Sequence, residues 1–280
     1  MRLQPSISTT AHEGLRAPLD QAHGLRRLFA SRTVHFVPLI SNPHVLFGGV
    51  VMERLCAAWA EMGLRSLVVD AGERAHAPHE LADLDLSDAI ESLSSHVKYL
   101  AARDLPARYV DAQGSSASLL QALVDSCPGT DVVLVHAPAT DWVRMVAHPL
   151  RSGLAPRLSP LVLADEQAAA VTHAYSSIKL MAQRAGLMAH DLIVLCDEAG
   201  ERAQRVAHSV AACADRFLHA VQRTWITLDP AQAAQDDPTP AVRDLARAQL
   251  DAAVQIAHAD TFVAPAARAP RAATSASFSV

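Results

Sequence analysis

Short runs of apolar, often β-branched residues recur along the chain and end in polar or Gly/Pro-containing turns, with Ala- and Leu-rich stretches between them. The runs have the length and composition of buried strands, and the stretches between them are long enough for helices. Strands are predicted at residues 34–40, 65–70, 107–110, 131–136, 159–164 and 191–196, with a weaker one at 214–218. Helices are predicted at residues 50–62, 117–124, 167–185 and 199–212.

This alternation predicts an α/β protein with a doubly wound, mainly parallel sheet. Strands that are apolar along their whole length suit a sheet that helices cover on both faces. The pattern divides the chain into an N-terminal segment (1–32), an α/β domain (33–228) and a C-terminal part (229–280). The last part contains a predicted helix at 241–257 and, from residue 265, a tail rich in Ala, Arg, Pro and Ser that we expect to be disordered.

Composition excludes several classes of function. With 280 residues, half of them hydrophobic, the chain can bury one large core. A formal charge of −5 gives no general attraction to nucleic acid, so we expect no direct nucleic-acid binding. The four cysteines lie far apart, and no apolar segment approaches the roughly 20 residues that span a bilayer. We therefore expect a cytoplasmic protein with reduced thiols and weak or no membrane association.

The N-terminal segment contains a short amphipathic pattern at residues 20–29. On a helix its apolar side would consist of Ala22, Leu25, Leu28 and Phe29, with Asp20 capping the first turn and Gln21, Arg26 and Arg27 on the flank. Such a helix could simply pack on its own domain. Alternatively, it could order fully only against a partner, because Gly24 weakens the isolated helix by roughly 1 kcal/mol relative to Ala.

The loop after the first predicted strand is where a phosphate-binding motif would stand in an α/β nucleotide-binding protein. Such a motif needs a Gly-rich turn, a Lys for the phosphates and a Ser or Thr for magnesium at the helix start. Residues 41–52 contain neither Lys nor Thr, and Leu46 and Phe47 are bulky. Gly48 and Gly49 remain ahead of the helix. We therefore expect no tight binding of ATP and magnesium, and no cofactor.

Residues 20–228 resemble the MinD/ParA group of P-loop ATPases. Residues 65–71 resemble the second strand of that group, and Asp70 is retained at its end. Residues 131–139 resemble the Walker B strand, but His136 stands where the group has an Asp. Residues 192–197 resemble the strand that ends in an adenine-reading Asn, which here is Cys196 or Asp197. The resemblance implies a degenerate nucleotide site formed by Gly48, Gly49, Asp70 and His136, without a catalytic residue or metal ligand.

The N-terminal pattern makes the resemblance more specific. Asp20, Gln21, Ala22, Leu25 and Arg26 resemble the DQAxxLR signature of the FlhG (FleN) family, the MinD-type ATPases that set flagellar number and location. In that family the signature peptide docks on the signal-recognition-type GTPase FlhF and stimulates GTP hydrolysis. The resemblance implies that these five residues bind an FlhF-type GTPase. It also implies contacts with flagellar transcription regulators or switch-complex proteins, and a place at the cell pole through those partners.

Two other functions are compatible with the sequence. One is an active MinD/ParA-type switch that dimerises around ATP and cycles on and off the membrane; Asp70 favours this function, whereas the loop at 41–52 and His136 oppose it. The other is a MinD-like accessory of cellulose synthesis or chromosome partitioning, for which the N-terminal signature would be coincidental.

Overall fold

A computed structural model describes residues 33–77, 85–151, 158–197, 200–233 and 237–257. Its strands are β1 Thr33–Ile40, β2 Ser66–Asp70, β3 Glu91–Ser92, β4 Val97–Ala101, β5 Val132–Ala137, β6 Leu161–Asp165, β7 Ala189–Leu195, β8 Val221–Leu228 and β9 Val254–Ala257. Its helices are α1 Gly48–Glu61, α2 Leu86–Ala89, α3 Leu105–Arg108, α4 Ser118–Ser126, α5 Ala139–Arg151, α6 Ala168–Ala185, α7 Glu201–Leu218, α8 Pro230–Ala233 and α9 Pro240–Asp251.

The strands form one sheet in the order β3-β4-β2-β5-β1-β6-β7-β8, and β9 pairs with β1 beside this path. The strands from β4 to β8 along this order pair in parallel, whereas β3 and β9 pair antiparallel with β4 and β1. The order reverses around β1, which lies between β5 and β6. The predicted doubly wound, mainly parallel sheet is confirmed, and its ligand site is expected at the carboxyl ends of the strands.

Each face of the sheet is buried against its own apolar cluster. Along β1, Phe36 and Ile40 belong to one cluster, while Val37 and Leu39 belong to the other, as the two-residue period of a strand requires. Two buried tryptophans are held by hydrogen bonds on opposite faces. Trp59 Nε1 donates to the Ala246 carbonyl (2.9 Å), and Trp142 Nε1 donates to the Val135 carbonyl (3.1 Å). Burial on both faces explains why the central strands are apolar throughout.

The predicted strand at residues 107–110 is wrong. The chain there forms the short helix α3, which follows Asp104 in a left-handed conformation (φ 66°) and has Pro106 in its first turn. The strand in this part of the chain is β4, which starts at Val97, eight residues before the helix starts at Leu105. Its pattern was harder to recognise because Lys98 and Tyr99 are only half-buried.

The weaker strand predicted at 214–218 is also wrong, because these residues are the last turn of α7. That helix ends at Leu218 and is capped by His219, whose φ of 55° is left-handed, and the strand β8 follows at Val221. Polar residues Gln222, Arg223 and Thr224 hide the strand pattern. In addition, the helix α5 was not predicted; it mixes polar and apolar residues after Pro138.

The helix predicted at 241–257 ends earlier, at Asp251, and the chain returns as β9. The reason lies in β1, whose partner β6 begins pairing only at Leu39. The preceding half of that strand edge, from Thr33 to Phe36, pairs with β9 instead. Residues 240–257 therefore pack on the same sheet, and Arg243 of α9 binds Glu61 of α1 through two hydrogen bonds of 2.6 and 2.9 Å.

Candidate functional site

The carboxyl ends of β1, β2 and β5 bring together three of the four residues predicted for the degenerate nucleotide site. Asp70 and His136 are paired residues at the ends of the neighbouring strands β2 and β5. Gly48 opens α1, which follows β1, and a Cβ atom placed on it would lie 3.7 Å from His136 Nε2. Gly49 follows Gly48, but a Cβ atom there would meet nothing within 4 Å.

A histidine–carboxylate pair forms the centre of this edge. His136 Nδ1 lies 2.7 Å from Asp70 Oδ1, and each side chain is only 14% exposed. Asp70 also accepts hydrogen bonds from the Gly72 amide (3.2 Å) and from the Tyr99 hydroxyl (3.3 Å). Both carboxylate oxygens are thus engaged by groups of the protein itself.

These contacts keep the Asp70 carboxyl group ionised. Burial raises the pKa of Asp70. The hydrogen bond and charge of His136, and the hydrogen bonds from the Gly72 amide and the Tyr99 hydroxyl, lower this pKa below its usual value. Burial and the neighbouring Asp70 carboxylate raise the pKa of Tyr99 to about 12. Asp70 is therefore ionised, Tyr99 remains a hydrogen-bond donor, and the imidazole is oriented with Nε2 towards the start of α1.

Gly72 is a site residue that sequence reasoning missed. A Cβ atom at this position would lie 2.6 Å from His136 Cε1 and 2.9 Å from His136 Nδ1. Real Cβ atoms do not approach that closely, so only glycine allows the backbone after β2 to pass the imidazole. A glycine two residues after a strand-terminal Asp was the available signal, but the ring it accommodates lies on another strand.

The loop after β1 is fixed by a second residue that was not predicted, Asn42. Its buried side-chain amide donates to the carbonyls of Leu163 (2.8 Å) and Ala170 (2.9 Å), at β6 and α6. Its Oδ1 accepts from the His44 amide (3.1 Å), and Arg74 Nη2 donates to the Pro43 carbonyl (2.7 Å). The first turn of this loop is therefore held by side chains rather than left open as a cradle of amides.

Two further histidines lie at this loop, His44 within it and His173 on α6. The rings of His44 and His173 meet edge to face with centroids 5.9 Å apart. Burial and His44 lower the pKa of His173, while Glu73 and a hydrogen bond with the Ser41 backbone oppose the shift, so His173 is neutral at pH 7. Within the described residues, no cluster of three or more His, Cys, Asp or Glu side chains could hold a metal ion.

An open pocket of about 870 Å³ is lined by the loop after β1 and by residues at the carboxyl ends of β6 and β7. Leu46 and Phe47 line one side, and Asp165 and Glu166 line the other. Cys196 and Asp197 both line it as well, so either of the two residues proposed for the adenine-reading position faces this space. This pocket has room for a ligand or for a side chain of a partner.

The residues predicted to bind a partner, Asp20, Gln21, Ala22, Leu25 and Arg26, lie outside the described residues, as does the tail from residue 265. Their role stays a prediction. In the part of the chain that the structure describes, no helix is long and apolar enough to cross a bilayer.

No protein-family model and no curated protein matches this sequence. The fold, however, matches solved structures. The MinD cell division protein of Aquifex aeolicus superimposes with a TM-score of 0.52 at 13% identity, covering 79% of this chain and 98% of that one. The MinC:MinD cell division protein complex from the same organism gives 0.51 at 13% identity, covering 80% and 99%.

A third similar structure is the cobyrinic acid a,c-diamide synthase of Mycobacterium smegmatis with bound ADP and magnesium. It gives a TM-score of 0.52 at 16% identity and covers 78% of this chain and 94% of that one. At such identities the likeness is one of fold. The chain thus has the fold of MinD-type P-loop proteins, as its sequence predicted, whereas its similarity to FlhG stays a prediction.

Proposed function

We propose that this protein, which has the MinD-type fold, regulates flagellar number and placement by binding partners rather than by hydrolysing ATP. The observation that carries the proposal is the DQAxxLR-like signature at Asp20–Arg26 ahead of a MinD-type domain whose nucleotide site is altered. The partner that this signature favours is an FlhF-type GTPase. Flagellar transcription regulators or switch-complex proteins are further partners, and they would bring the protein to the cell pole.

The altered site supports a function without ATP chemistry. The groups at this edge do not fit a magnesium nucleotide, because His136 replaces a metal-binding carboxylate and Asp70 is engaged by His136, Gly72 and Tyr99. In the loop after β1 there is no Lys for the phosphates, and Asn42 ties the turn to β6 and α6. Without a phosphate cradle or metal ligands, the domain serves as a scaffold.

The N-terminal helix would act at the nucleotide site of the GTPase. Leu25 and Leu28 provide apolar contact area, while Gln21 and Arg26 order the attacking water or stabilise the charge that develops on the transferred phosphoryl group. A group that stabilises transition-state charge raises the rate of hydrolysis without strengthening binding of the helix in proportion. Experiments can therefore distinguish Gln21 and Arg26, which affect the rate of hydrolysis, from Leu25 and Leu28, which affect binding.

A synthetic peptide of residues 1–32 tests the proposal directly. It should accelerate GTP hydrolysis by the FlhF-type GTPase without the rest of the protein. Changing Gln21→Ala or Arg26→Ala should remove most of the acceleration at saturating peptide. Changing Leu25→Ala or Leu28→Ala should chiefly raise the concentration needed, since each loses roughly 1.5–3 kcal/mol of buried apolar contact.

The control is full-length protein with and without residues 1–32, tested for co-purification with the same GTPase. Unchanged GTP turnover at saturating peptide, with a GTPase preparation that responds to a known activator, would reject the stimulation mechanism. Retained co-purification after deletion of residues 1–32 would reject the assignment of the signature as the binding segment.

An ATP-dependent switch is the second candidate, and one observation favours it: Asp70 stands at the end of β2, where active relatives retain their Asp. The same carboxylate is occupied by His136 in this structure. The switch therefore requires that pair to separate when nucleotide binds. A thermal-shift titration with ATP distinguishes the two candidates.

A further inference from the structure

Two large apolar side chains are exposed where a phosphate-binding loop would have small ones. Leu46 is 68% exposed and Phe47 is 51% exposed, at adjacent positions just before α1. Phe47 is the N-cap residue of this helix and makes no capping hydrogen bond through its side chain, a position where Ser, Thr, Asp or Asn would stabilise the helix. Neither helix capping nor core packing explains these two residues.

The pocket next to them is negatively charged. Its lining includes four carboxylates, Asp165, Glu166, Asp197 and Glu201, against two guanidinium groups, Arg202 and Arg205. The guanidinium groups pair with Glu166 and Glu201, each at 3.5 Å. Among the described residues, Asp165 and Asp197 have no cationic partner within 4 Å, so the lining has two more carboxylates than guanidinium groups. Asp165 Oδ1 accepts one backbone hydrogen bond, from the Gln167 amide (2.8 Å) at the start of α6, which leaves its charge in place.

The same negative charges affect the pKa of the Cys196 thiol. Burial raises the pKa of this thiol, and the charges of Glu166, Asp229 and Asp197 raise it further. Three carboxylates from the ends of different elements thus act on one point in the pocket wall. Glu201 lies in the first turn of α7, where the helix dipole favours a carboxylate, and Asp229 accepts a hydrogen bond from the Ala231 amide (2.9 Å) at the start of α8. Asp197 is not in the first turn of a helix.

The pocket also extends along the surface. A second depression of about 550 Å³ shares Glu166, Arg202 and Arg205 with it and continues between α6 and α7 over Val171 and Val206. Together the two depressions combine exposed apolar side chains with more carboxylates than guanidinium groups. An anionic nucleotide is disfavoured there, whereas a chain segment with apolar and cationic side chains is complementary in both respects.

We propose that the groove bounded by Leu46, Phe47, Asp165 and Asp197 is a docking site for a basic amphipathic segment of a partner protein. Apolar side chains of that segment pack on Leu46 and Phe47, and its Lys or Arg side chains reach Asp165 and Asp197. None of the four residues belongs to the N-terminal signature at 20–26, so the site would be a second contact surface, formed by the domain itself.

The test uses the full-length protein and two dye-labelled helical peptides of 16 residues, one built from Leu, Ala and Lys and the other with Glu in place of every Lys. Fluorescence anisotropy should show that the Lys peptide binds at least about 10-fold more tightly than the Glu peptide at low salt. Raising the salt concentration to about 0.5 M should weaken Lys-peptide binding, because solvent-exposed charges are screened.

Three variants locate the site. The double change Leu46→Ser and Phe47→Ser should weaken Lys-peptide binding about 10-fold or more, and the double change Asp165→Asn and Asp197→Asn should weaken it several-fold and reduce its salt dependence. The matched control is Leu93→Ser, which changes another exposed leucine (61% exposed) outside the groove and should leave binding unchanged. All affected side chains line the surface, so unfolding midpoints should stay near that of the parent protein.

Equal affinity for the Lys and Glu peptides, or Lys-peptide binding that survives the Leu46→Ser and Phe47→Ser change, would overturn the proposal. So would concentration-dependent dimerisation in analytical ultracentrifugation that this change abolishes, since it would assign the groove to a second copy of the chain. Failure of the GTPase assay with the peptide of residues 1–32 would not affect these outcomes. The Lys and Glu peptides test binding to the α/β domain, not the activity of residues 1–32.

Discussion

A histidine and an aspartate lie at the carboxyl ends of the strands, and another histidine and aspartate lie at the amino ends, but the two sets differ in their contacts and in their burial. At the carboxyl edge, His136 and Asp70 come from neighbouring strands, pair with each other at 2.7 Å and remain slightly exposed. At the amino edge, His190 and Asp191 are consecutive residues at the start of β7 and are almost fully buried. They do not share a hydrogen bond in the described structure.

Asp191 instead has its own set of partners. It accepts hydrogen bonds from Ser159 Oγ (2.8 Å), Gln249 Nε2 (2.7 Å) and the Thr224 amide (3.1 Å), and Arg223 lies 4.0 Å away. Burial nevertheless raises the pKa of Asp191 against the effects of these partners. The carboxylate connects β7, β8 and α9, which makes it a structural residue.

His190 has no such set. Among the described residues, neither ring nitrogen has a hydrogen-bond partner at normal distance, and burial lowers its pKa to about 4, with the neighbouring Gln222 opposing the shift. The comparison teaches that residue type does not assign a role. The pair that retains solvent access lies where α/β proteins bind ligands, whereas the fully buried pair governs stability.

The strongest test of this division is Asp191→Ala. The change leaves the partners of the carboxylate buried without an acceptor, so the free energy of unfolding should fall by about 3–5 kcal/mol. Urea unfolding followed by circular dichroism measures the loss. The exposed Asp215→Ala should change stability by less than about 0.5 kcal/mol. A loss from Asp191→Ala no larger than that of the control would contradict the structural role.

The next test is the pH dependence that His190 introduces. The unfolded chain binds a proton near pH 6.5, but the folded protein does so only near pH 4, so protonation favours the unfolded state between these values. Stability attributable to this residue is complete above about pH 6.5 and falls as the pH decreases, by about 2 kcal/mol at pH 5.

Urea unfolding at pH 7.5, 6 and 5 should therefore show a decline that His190→Gln reduces, while the exposed His208→Gln retains it. An identical pH profile for His190→Gln and the parent protein would show that the acid sensitivity comes from other groups.

A smaller effect is expected at the carboxyl edge from Gly72→Ala. The added methyl group collides with His136, and relief of that contact should cost about 1–2 kcal/mol of stability. Gly49→Ala is the matched control, because a Cβ atom there meets nothing within 4 Å and Ala favours the helix. In a His136→Ala background the cost of Gly72→Ala should largely disappear; a cost that persists would show that the imidazole is not what requires glycine.

The smallest expected effect is that of ATP. Millimolar ATP with magnesium should leave the melting temperature unchanged, whereas a ligand at about 100 times its dissociation constant would add roughly 2.7 kcal/mol. A clear rise in melting temperature would support the ATP-dependent switch. The same measurement with Asp70→Asn would then show whether that carboxylate contributes to binding.

Most of the central sheet was predictable because its strands are buried on both faces and carry a continuous apolar signal, as in β2 and β5. The strands that escaped prediction lie where this signal is diluted. β8 pairs only with β7 in the sheet order, and β9 is a four-residue strand whose partner is Thr33–Phe36, more than 200 residues earlier. β9 pairs there because β6 pairs only with Leu39 and Ile40 of β1, and the local sequence around residues 254–257 contains no sign of this.

The sequence by itself determined the class of fold, the loop without Lys or Thr, and the replacement of a carboxylate by His136, because these depend on residue type and local order. Tertiary structure decided which groups meet. His136 reaches Asp70 across 66 positions, and Asn42 reaches Leu163 across 121, because parallel strand order brings distant strand ends to one edge. The need for Gly72 follows from that encounter, since its nearest obstacle is a side chain on another strand.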